Sequence, residues 1–363
     1  MRTSPRPFHP IPPGNLLRRE LDARGWTQTE FAEIIGRPIQ TVNEIIKGKK
    51  AITAPTARLL SQVLGTTAEY WLNLQAAYEL DKLPAAASAF ERRAAIGAVV
   101  PLKELQRRGW IESTDDVDRL ERKVCEFLGV QSLSEQPKPA LAARKSRVYL
   151  AAQQSAILAW ASRATQLARR KKVRGFSTAR FKKAVADMPR LSASSQGTRR
   201  IPEVLGDLGI RFVIVEHLRK TYVDGATFWL DRRSPVVALS LRYDRVDNFW
   251  FTLMHELAHV LQGYRTQGFI DDYLVGKDAA QTEDKPEIEQ EADHLASEWL
   301  VPRGTLAAFI AANHPYYSKE VVEAFAREIS VHPGIVVGRL QNMGKMPYAN
   351  LRGLLTKVRE HFS

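Results

Sequence analysis

His255-Glu256-Leu257-Ala258-His259 sets two imidazoles and a carboxylate within five residues. Four positions apart on an α-helix, the two rings leave from one face. Both can then reach a single Zn²⁺ while the intervening glutamate handles a water, which is the chemistry of metal-assisted hydrolysis. A catalytic zinc takes a third protein ligand and leaves a position for water. The acidic run Glu287-Ile288-Glu289-Gln290-Glu291-Ala292-Asp293-His294 supplies candidates. Glu289 and Asp293 share a helical face, so Glu289 is the expected ligand and Asp293 the acceptor for a ligand histidine. Glu291 and His294 compete for the ligand role but face elsewhere. With such a set the metal would lower the pKa of its water toward ~7, and Glu256 would take the proton during hydrolysis and return it to the leaving group. An oxyanion donor is also needed; Tyr264, Tyr273, His217 and His314 are candidates among which the spacing does not choose.

These groups must ride on regular elements. The helix carrying the pentad is expected to begin near Asp244, with Asp247 in its first turn. Val246, Phe249, Trp250, Leu253, Leu257 and Val260 or Leu261 form its buried stripe, and Gly263 is its C′ residue. Ahead of it, residues 210–215, 226–230 and 236–241 are short, β-branched and apolar, and read as strands. After it, Pro286 opens a helix running to Trp299 and Leu300, which Pro302 stops. Residues 201–363 therefore read as an α+β domain with a small sheet.

The first 82 residues read as a helical unit. Leu16, Leu17, Leu21 and Trp26 have helical spacing. Thr27-Gln28-Thr29-Glu30 is a capping box opening a helix with Phe31, Ile34 and Ile35 inside, and Gly36 ends it. Past Arg37 and Pro38 a second short helix buries Val42, Ile45 and Ile46 and stops at Gly48. Two short helices joined by a turn form a helix-turn-helix. Gln40, Thr41, Asn43 and Glu44 face outward on the second helix, with Lys47, Lys49 and Lys50 behind them, which suits base reading flanked by phosphate contacts. Gln28 and Arg37 join this candidate DNA-contacting set.

Length and charge bound the rest. The chain has 363 residues, 44% hydrophobic and 26% charged, enough for two or three cores and too apolar for a disordered tail. Cys125 is the single cysteine, so no internal disulfide forms and a reducing compartment is expected. The proline-rich start lacks an apolar leader, and nowhere do 18 apolar residues run together, so we expect a cytoplasmic protein without a membrane partner. The net charge of +13 is uneven: residues 83–200 hold 24 basic against 10 acidic residues, a balance of +14. That middle third reads as a basic helical connecting region. Its densest run is Arg169-Arg170-Lys171-Lys172, followed by Arg174, Arg180, Lys182 and Lys183; such a block either attracts phosphates without reading sequence or is simply a solvated face. Leu191-Ser192-Ala193-Ser194-Ser195-Gln196-Gly197 reads as a flexible hinge before the last domain.

Two resemblances follow. Pro13 to Leu80, with its run Trp71-Leu72-Asn73-Leu74-Gln75, resembles the HigA-type antitoxins, a branch of the XRE-like helix-turn-helix repressors. That likeness implies a five-helix DNA-binding fold and a homodimer on a palindromic operator. Phe251 to His259 together with Glu289 to Pro302 resembles the ImmA/IrrE metallopeptidases over roughly Ile201 to Leu340. It implies a zincin-like, gluzincin-type zinc endopeptidase, with another divalent ion such as Mn²⁺ as an alternative. Its substrates would be helix-turn-helix repressors whose loss relieves stress or mobile-element genes. Asp293 departs from the family, where many members carry Asn. The expected architecture is thus multidomain and mainly α: a helix-turn-helix domain (1–82), a helical middle segment (83–200) and a metallopeptidase domain (201–363). The competing reading is a non-proteolytic antitoxin or repressor whose last domain senses metal or a partner.

Overall fold

Five short helices occupy the start of the chain: α1 (Pro13–Arg24), α2 (Gln28–Ile34), α3 (Ile39–Ile46), α4 (Ala54–Leu64) and α5 (Ala68–Lys82). The computed structural model describes residues 11–82, 86–135, 151–219, 221–263, 269–271 and 286–362. The capping box at α2 is complete: the Thr27 hydroxyl accepts from the Glu30 amide at 3.2 Å and Glu30 Oε2 accepts from the Thr27 amide at 2.8 Å. Leu17, Leu21, Phe31, Val42, Ile45, Leu60 and Trp71 form the core, with Trp71 fully buried and its Nε1 donating to Thr66 Oγ1 at 2.8 Å. Gln75 closes the bundle by accepting from the Ile52 amide at 3.0 Å. One expectation fails here: Ile34 is 49% exposed. At about 100° per residue, the side chains of Phe31, Ala32 and Ile35 cluster on one side of α2 and Ile34 falls off that stripe.

The chain divides into two units, Met1–Arg92 and Arg93–Ser363, with the boundary inside α6 (Ala86–Val99). The second unit continues with α7 (Leu102–Arg107), α8 (Val117–Leu128), α9 (Ala151–Arg170), α10 (Thr178–Val185), α11 (Ser195–Arg199) and α12 (Ile201–Leu208). Then come β1 (Arg211–Ile214), β2 (Gly225–Trp229), β3 (Pro235–Leu239), α13 (Val246–Gln262), β4 (Phe269–Asp271) and α14 (Glu287–Leu300). α15 (Arg303–Asn313), α16 (Lys319–Glu328) and α17 (Pro333–Asn342) finish the helical part.

The four strands lie in the order β1-β3-β2-β4, with β1 parallel to β3 and the other pairs antiparallel. The period-2 alternation of strands sorts their side chains between two layers. Val213, Ala226, Phe228, Val236 and Ala238 pack with Trp160, Ala164, Leu105 and Val124 of α7, α8 and α9. Phe212, Val237, Leu239 and Trp229 pack with Phe249, Trp250 and Leu253 of α13. The sheet is thus sandwiched, and its back cover comes from the stretch expected to be only connecting. From Arg93 onward that stretch belongs to the second unit, tied by such bonds as Trp160 Nε1 to the Val215 carbonyl at 2.7 Å.

One further expectation changes. The serine-rich hinge is a 3₁₀ turn (Met188–Ala193) followed by α11. Ser192 is buried and its hydroxyl accepts from the His332 amide at 3.0 Å, while Ser194 caps α11. Small polar residues here satisfy backbone donors instead of loosening the chain. α13 starts where expected, at Val246 with Asp247 in its first turn, and the Asp244 carboxylate just before it accepts from the amides of Val358 and Arg359 at 2.9 and 2.8 Å. None of the described helices is long and apolar enough to cross a membrane.

Candidate metal centre and reading helix

α13 is nearly all buried because it runs between the sheet and α14, with α17 against it as well. That position takes His255, Glu256 and His259 out of water, at 0%, 0% and 1% exposure. Desolvated polar groups of this kind need partners, and each ring nitrogen has one. His255 Nδ1 lies 3.0 Å from Asp293 Oδ1, and His259 Nδ1 lies 3.0 Å from Gln262 Oε1. The Gln262 amide is oriented by its own nitrogen, which donates to Glu291 Oε2 at 3.2 Å and to the Ile288 carbonyl at 3.5 Å. A carboxylate and an amide oxygen only accept, so both rings carry their proton on Nδ1.

That leaves two Nε2 lone pairs, and they face each other at 3.0 Å. Glu289 Oε2 joins them, 3.1 Å from His255 Nε2 and 3.4 Å from His259 Nε2. Three electron-rich atoms converge with no proton assigned between them. Such a set repels itself unless a cation sits at its centre, and the three residues form a group able to hold a metal ion. Burial pushes the Glu289 carboxyl upward; positive charge beside it, which in the absence of an ion only protonated His255 and His259 could provide, holds it well below the ordinary carboxylate range.

Glu256 lies next to this cluster in sequence but turns to the sheet. The Thr227 hydroxyl faces two of its oxygens, Oε2 at 2.6 Å and the main-chain carbonyl at 2.9 Å. β2 comes this close because residue 225 is glycine: a Cβ there would stand 2.6 Å from Glu256 Oε1 and 2.9 Å from Thr252 Cγ2. The geometry therefore fixes the Glu256 carboxylate between a strand hydroxyl and a bare backbone.

The structure brings together His255, His259, Glu289 and Asp293. It leaves both competing ligands outside: Glu291 is exposed and bonded to Gln262, and His294 is exposed. Tyr264 and Tyr273 lie outside the described residues. His217 sits in the field of Arg108, Arg242 and Arg359, and His314 packs on Tyr317. Thr227, Gly225 and Gln262 escaped the sequence reading. Gln262 was within reach, three residues after His259 on one helix face; a threonine and a glycine on a strand carry no motif.

In the first unit, α3 buries Val42, Ile45 and Ile46 and turns its polar residues outward. Gln40, Arg37, Lys47, Lys49 and Lys50 are exposed, while Gln28, Thr41 and Asn43 are half-buried. Gln40 donates to Glu44 Oε1 at 3.1 Å along the helix surface. The Glu44 carbonyl accepts from the amides of Lys49 and Lys50, which closes the end of the helix.

Fold and geometry together define a helix-turn-helix unit followed by a unit with a cluster of two histidines and a glutamate able to hold a metal ion. Comparison with known proteins agrees on both. A helix-turn-helix family model matches residues 17–71, and the model of the IrrE N-terminal-like domain, peptidase family M78, matches residues 206–341. Virulence-associated protein I of Dichelobacter nodosus is 33% identical over 93 residues, covering 25% of this chain and 81% of that protein. Antitoxin HigA-1 of Vibrio cholerae is 40% identical over 72 residues, covering 20% of this chain and 68% of its own. The solved Pseudomonas aeruginosa antitoxin HigA with the higBA promoter is 35% identical, covers 20% of this chain and 78% of that one, and gives a TM-score of 0.19. The chain belongs to the HigA-like helix-turn-helix family through its first unit, and its second unit contains the stretch that matches the IrrE N-terminal-like, peptidase M78 model.

Proposed function

We propose that this protein is a DNA-binding transcriptional regulator whose second unit is a zinc-dependent endopeptidase that cleaves a helix-turn-helix repressor and so relieves repression. The observation that supports it most is the meeting of two imidazole lone pairs with Glu289, beside a carboxylate that no ligand role consumes. His255, His259 and Glu289 would hold the ion, and Asp293 and Gln262 keep both imidazoles in the Nδ1–H form that ligation needs. When bound, a divalent cation supplies a Lewis acid that polarises a peptide carbonyl and acidifies water. Zn²⁺ suits two imidazoles and one carboxylate, and Mn²⁺ is the alternative. Glu256 acts as general base and then as general acid to the leaving amine, its carboxylate steadied by Thr227.

The first unit delivers this activity to DNA. Gln40, Thr41 and Asn43 would meet base edges, with Gln28, Arg37, Lys47, Lys49 and Lys50 on phosphates, in a homodimer on a palindromic operator in the cytoplasm. Glu256→Gln tests the reading, since it retains shape, metal ligands and DNA contacts. New protein N-termini in cells carrying the wild type are compared with those in cells carrying the variant. A new terminus inside a helix-turn-helix repressor, seen only with the wild type, is the expected result. Identical termini and identical repressor lifetimes would refute proteolysis.

The relatives named antitoxins favour a second reading, a repressor or antitoxin that cuts nothing and whose second unit senses metal or a partner. Under it, Glu256→Gln changes no transcript, and disrupting α3 alone reproduces the full phenotype of deletion.

A further inference from the structure

The cations of residues 169–183 are not on a loose linker. α9 is anchored beneath them by Ala164 and Ala168, and α10 by Phe181 and Val185, all buried. The connection between the two helices is pinned at its middle: the Arg174 amide donates to the Gly206 carbonyl at 3.0 Å. Phe176 packs its ring 5.9 Å from Phe181 and 5.4 Å from Trp229. Gly209, at φ +88°, lets this segment close in, since a Cβ there would lie 2.5 Å from the Phe176 backbone. On this fixed frame Arg169, Arg170, Lys171, Lys172, Arg174, Arg180, Lys182 and Lys183 are all exposed.

Such a cluster repels itself, and the fold does little to neutralise it. Arg174 pairs with Asp207 at 3.3 Å and Arg180 donates to the Gly175 carbonyl. The other six have no ion pair among the described residues. Placement at the carbonyl end of α9 favours Arg169 and Arg170 through the helix dipole, but it does not account for the cations in the connection. An ordered, uncompensated ridge of this kind matches a rigid polyanion.

We propose that this ridge on the peptidase unit is a second docking surface for the phosphate backbone of duplex DNA. Duplex is the occupant because the same chain carries a helix-turn-helix unit, so binding at the first site holds the second at high effective concentration. The first 82 residues hold only 11 basic against 8 acidic residues, and residues 201–363 hold 18 against 22. The stretch between them therefore holds the chain's largest excess of positive charge for sequence-independent attraction to phosphates. The ridge adds affinity and salt sensitivity without adding sequence preference.

The test uses the full chain and two fluorescent duplexes, the gene's own promoter and a scrambled duplex of equal length, titrated over a salt series. R169Q/R170Q/K171Q/K172Q is expected to make the slope of log K against log salt shallower by about 2–4 on both duplexes, at about 0.9 per phosphate contact. K182Q/K183Q should give a smaller change in the same direction. An equal-charge control, R327Q/K345Q/R352Q/K357Q, alters exposed cations elsewhere on the unit and should leave the slope nearly as it was. Unchanged slopes in the ridge variants would overturn the proposal, and so would a loss confined to the promoter duplex or a control as strong as the ridge variant. Retention of an acidic protein by the ridge with no change in DNA slope would overturn it too. Melting curves of all three variants exclude unfolding as the cause.

Discussion

α3 and α13 both carry the polar groups that the proposed function needs, yet they hold them in opposite ways. α3 packs its apolar side, Val42, Ile45 and Ile46, and leaves Gln40 exposed with Thr41 and Asn43 at the margin. α13 buries its working groups completely and matches each to a partner on α13 itself, α14 or β2. An exposed polar face contributes little to folding and is free to change with its DNA target. A buried one is part of the core, because each of its groups left unpaired costs about 1–3 kcal/mol. Substitutions on α3 should therefore alter binding alone, whereas those on α13 and its partners should alter chemistry and stability together.

The largest effect should come from the ligands. His255→Ala or Glu289→Ala is expected to reduce metal content measured by elemental analysis to near zero and to lower the melting temperature, while binding to the promoter duplex stays unchanged. Asp293→Ala removes only the acceptor of His255 Nδ1, and should weaken metal affinity by roughly 10–100-fold. Full metal occupancy in Glu289→Ala would show that the acidic helix is not a ligand helix. Chelator treatment of the wild type should likewise lower its melting temperature, since an ion bound only to the folded state at 100 times its Kd adds about 2.7 kcal/mol.

Thr227 comes next, because it touches Glu256, the proposed base, and none of the proposed ligands. Thr227→Val keeps the shape and deletes the hydroxyl that faces Glu256 Oε2. Peptide cleavage should slow by about 10–100-fold, the equivalent of a hydrogen bond to a charged group at roughly 1.5–3 kcal/mol. Metal content should stay stoichiometric and KM nearly unchanged, and Thr227→Ser should restore the rate. Loss of metal in Thr227→Val would mean that the strand supports the ligands and not the base.

Asn43→Ala tests the exposed side of the comparison. If Asn43 meets a base edge, promoter affinity should fall by the equivalent of about 1–3 kcal/mol and scrambled-duplex affinity should not change. The melting curve should not shift. Equal losses on both duplexes would assign Asn43 to the backbone.

Sequence revealed these two helices unequally well. The capping box and the apolar stripe of α2–α3 are local signals, so helix placement followed from spacing, and Ile34 was misplaced only because a seven-residue helix has a narrow buried stripe. The pentad and the acidic run are also local, and helical periodicity put Glu289 and Asp293 on one face. Pairing across elements was not legible. That Thr227 would meet Glu256, or that Gly225 would make room for it, depends on strand register and on the seat of α13 against the sheet. The role of residues 93–135 and 151–170 was hidden for the same reason: a helical connecting region is legible, but not that Trp160 and Leu105 cover the back of a sheet beginning at Arg211. Ser192 and Ser194 misled in the other direction, since composition marks such residues as linker, whereas Ser194 caps α11 through the Gly197 amide and Ser192 accepts from the distant His332 amide.

The smallest expected effect connects the buried network to pH through a residue with no catalytic role. His332 caps α17, its Nδ1 accepting from the Gly334 amide at 3.0 Å, and α17 packs on α13. Acceptance requires an unprotonated Nδ1. Burial pushes the His332 pKa below its ordinary value of 6.5; the Asp247 charge opposes that shift and His361 adds to it. The folded state therefore favours the neutral ring. Its contribution is fully present above the ordinary histidine pKa and is lost as pH falls toward the depressed folded value. A helix cap is worth about 1 kcal/mol, so the wild type should lose about that much on this account between pH ~7 and pH ~5. His332→Asn retains a capping oxygen that does not titrate in this range. Acid release of metal affects both proteins alike, so the difference between their melting curves at each pH isolates the cap. A gap that narrows or reverses in favour of His332→Asn toward acid is expected; a gap independent of pH would mean that His332 is not the titrating cap.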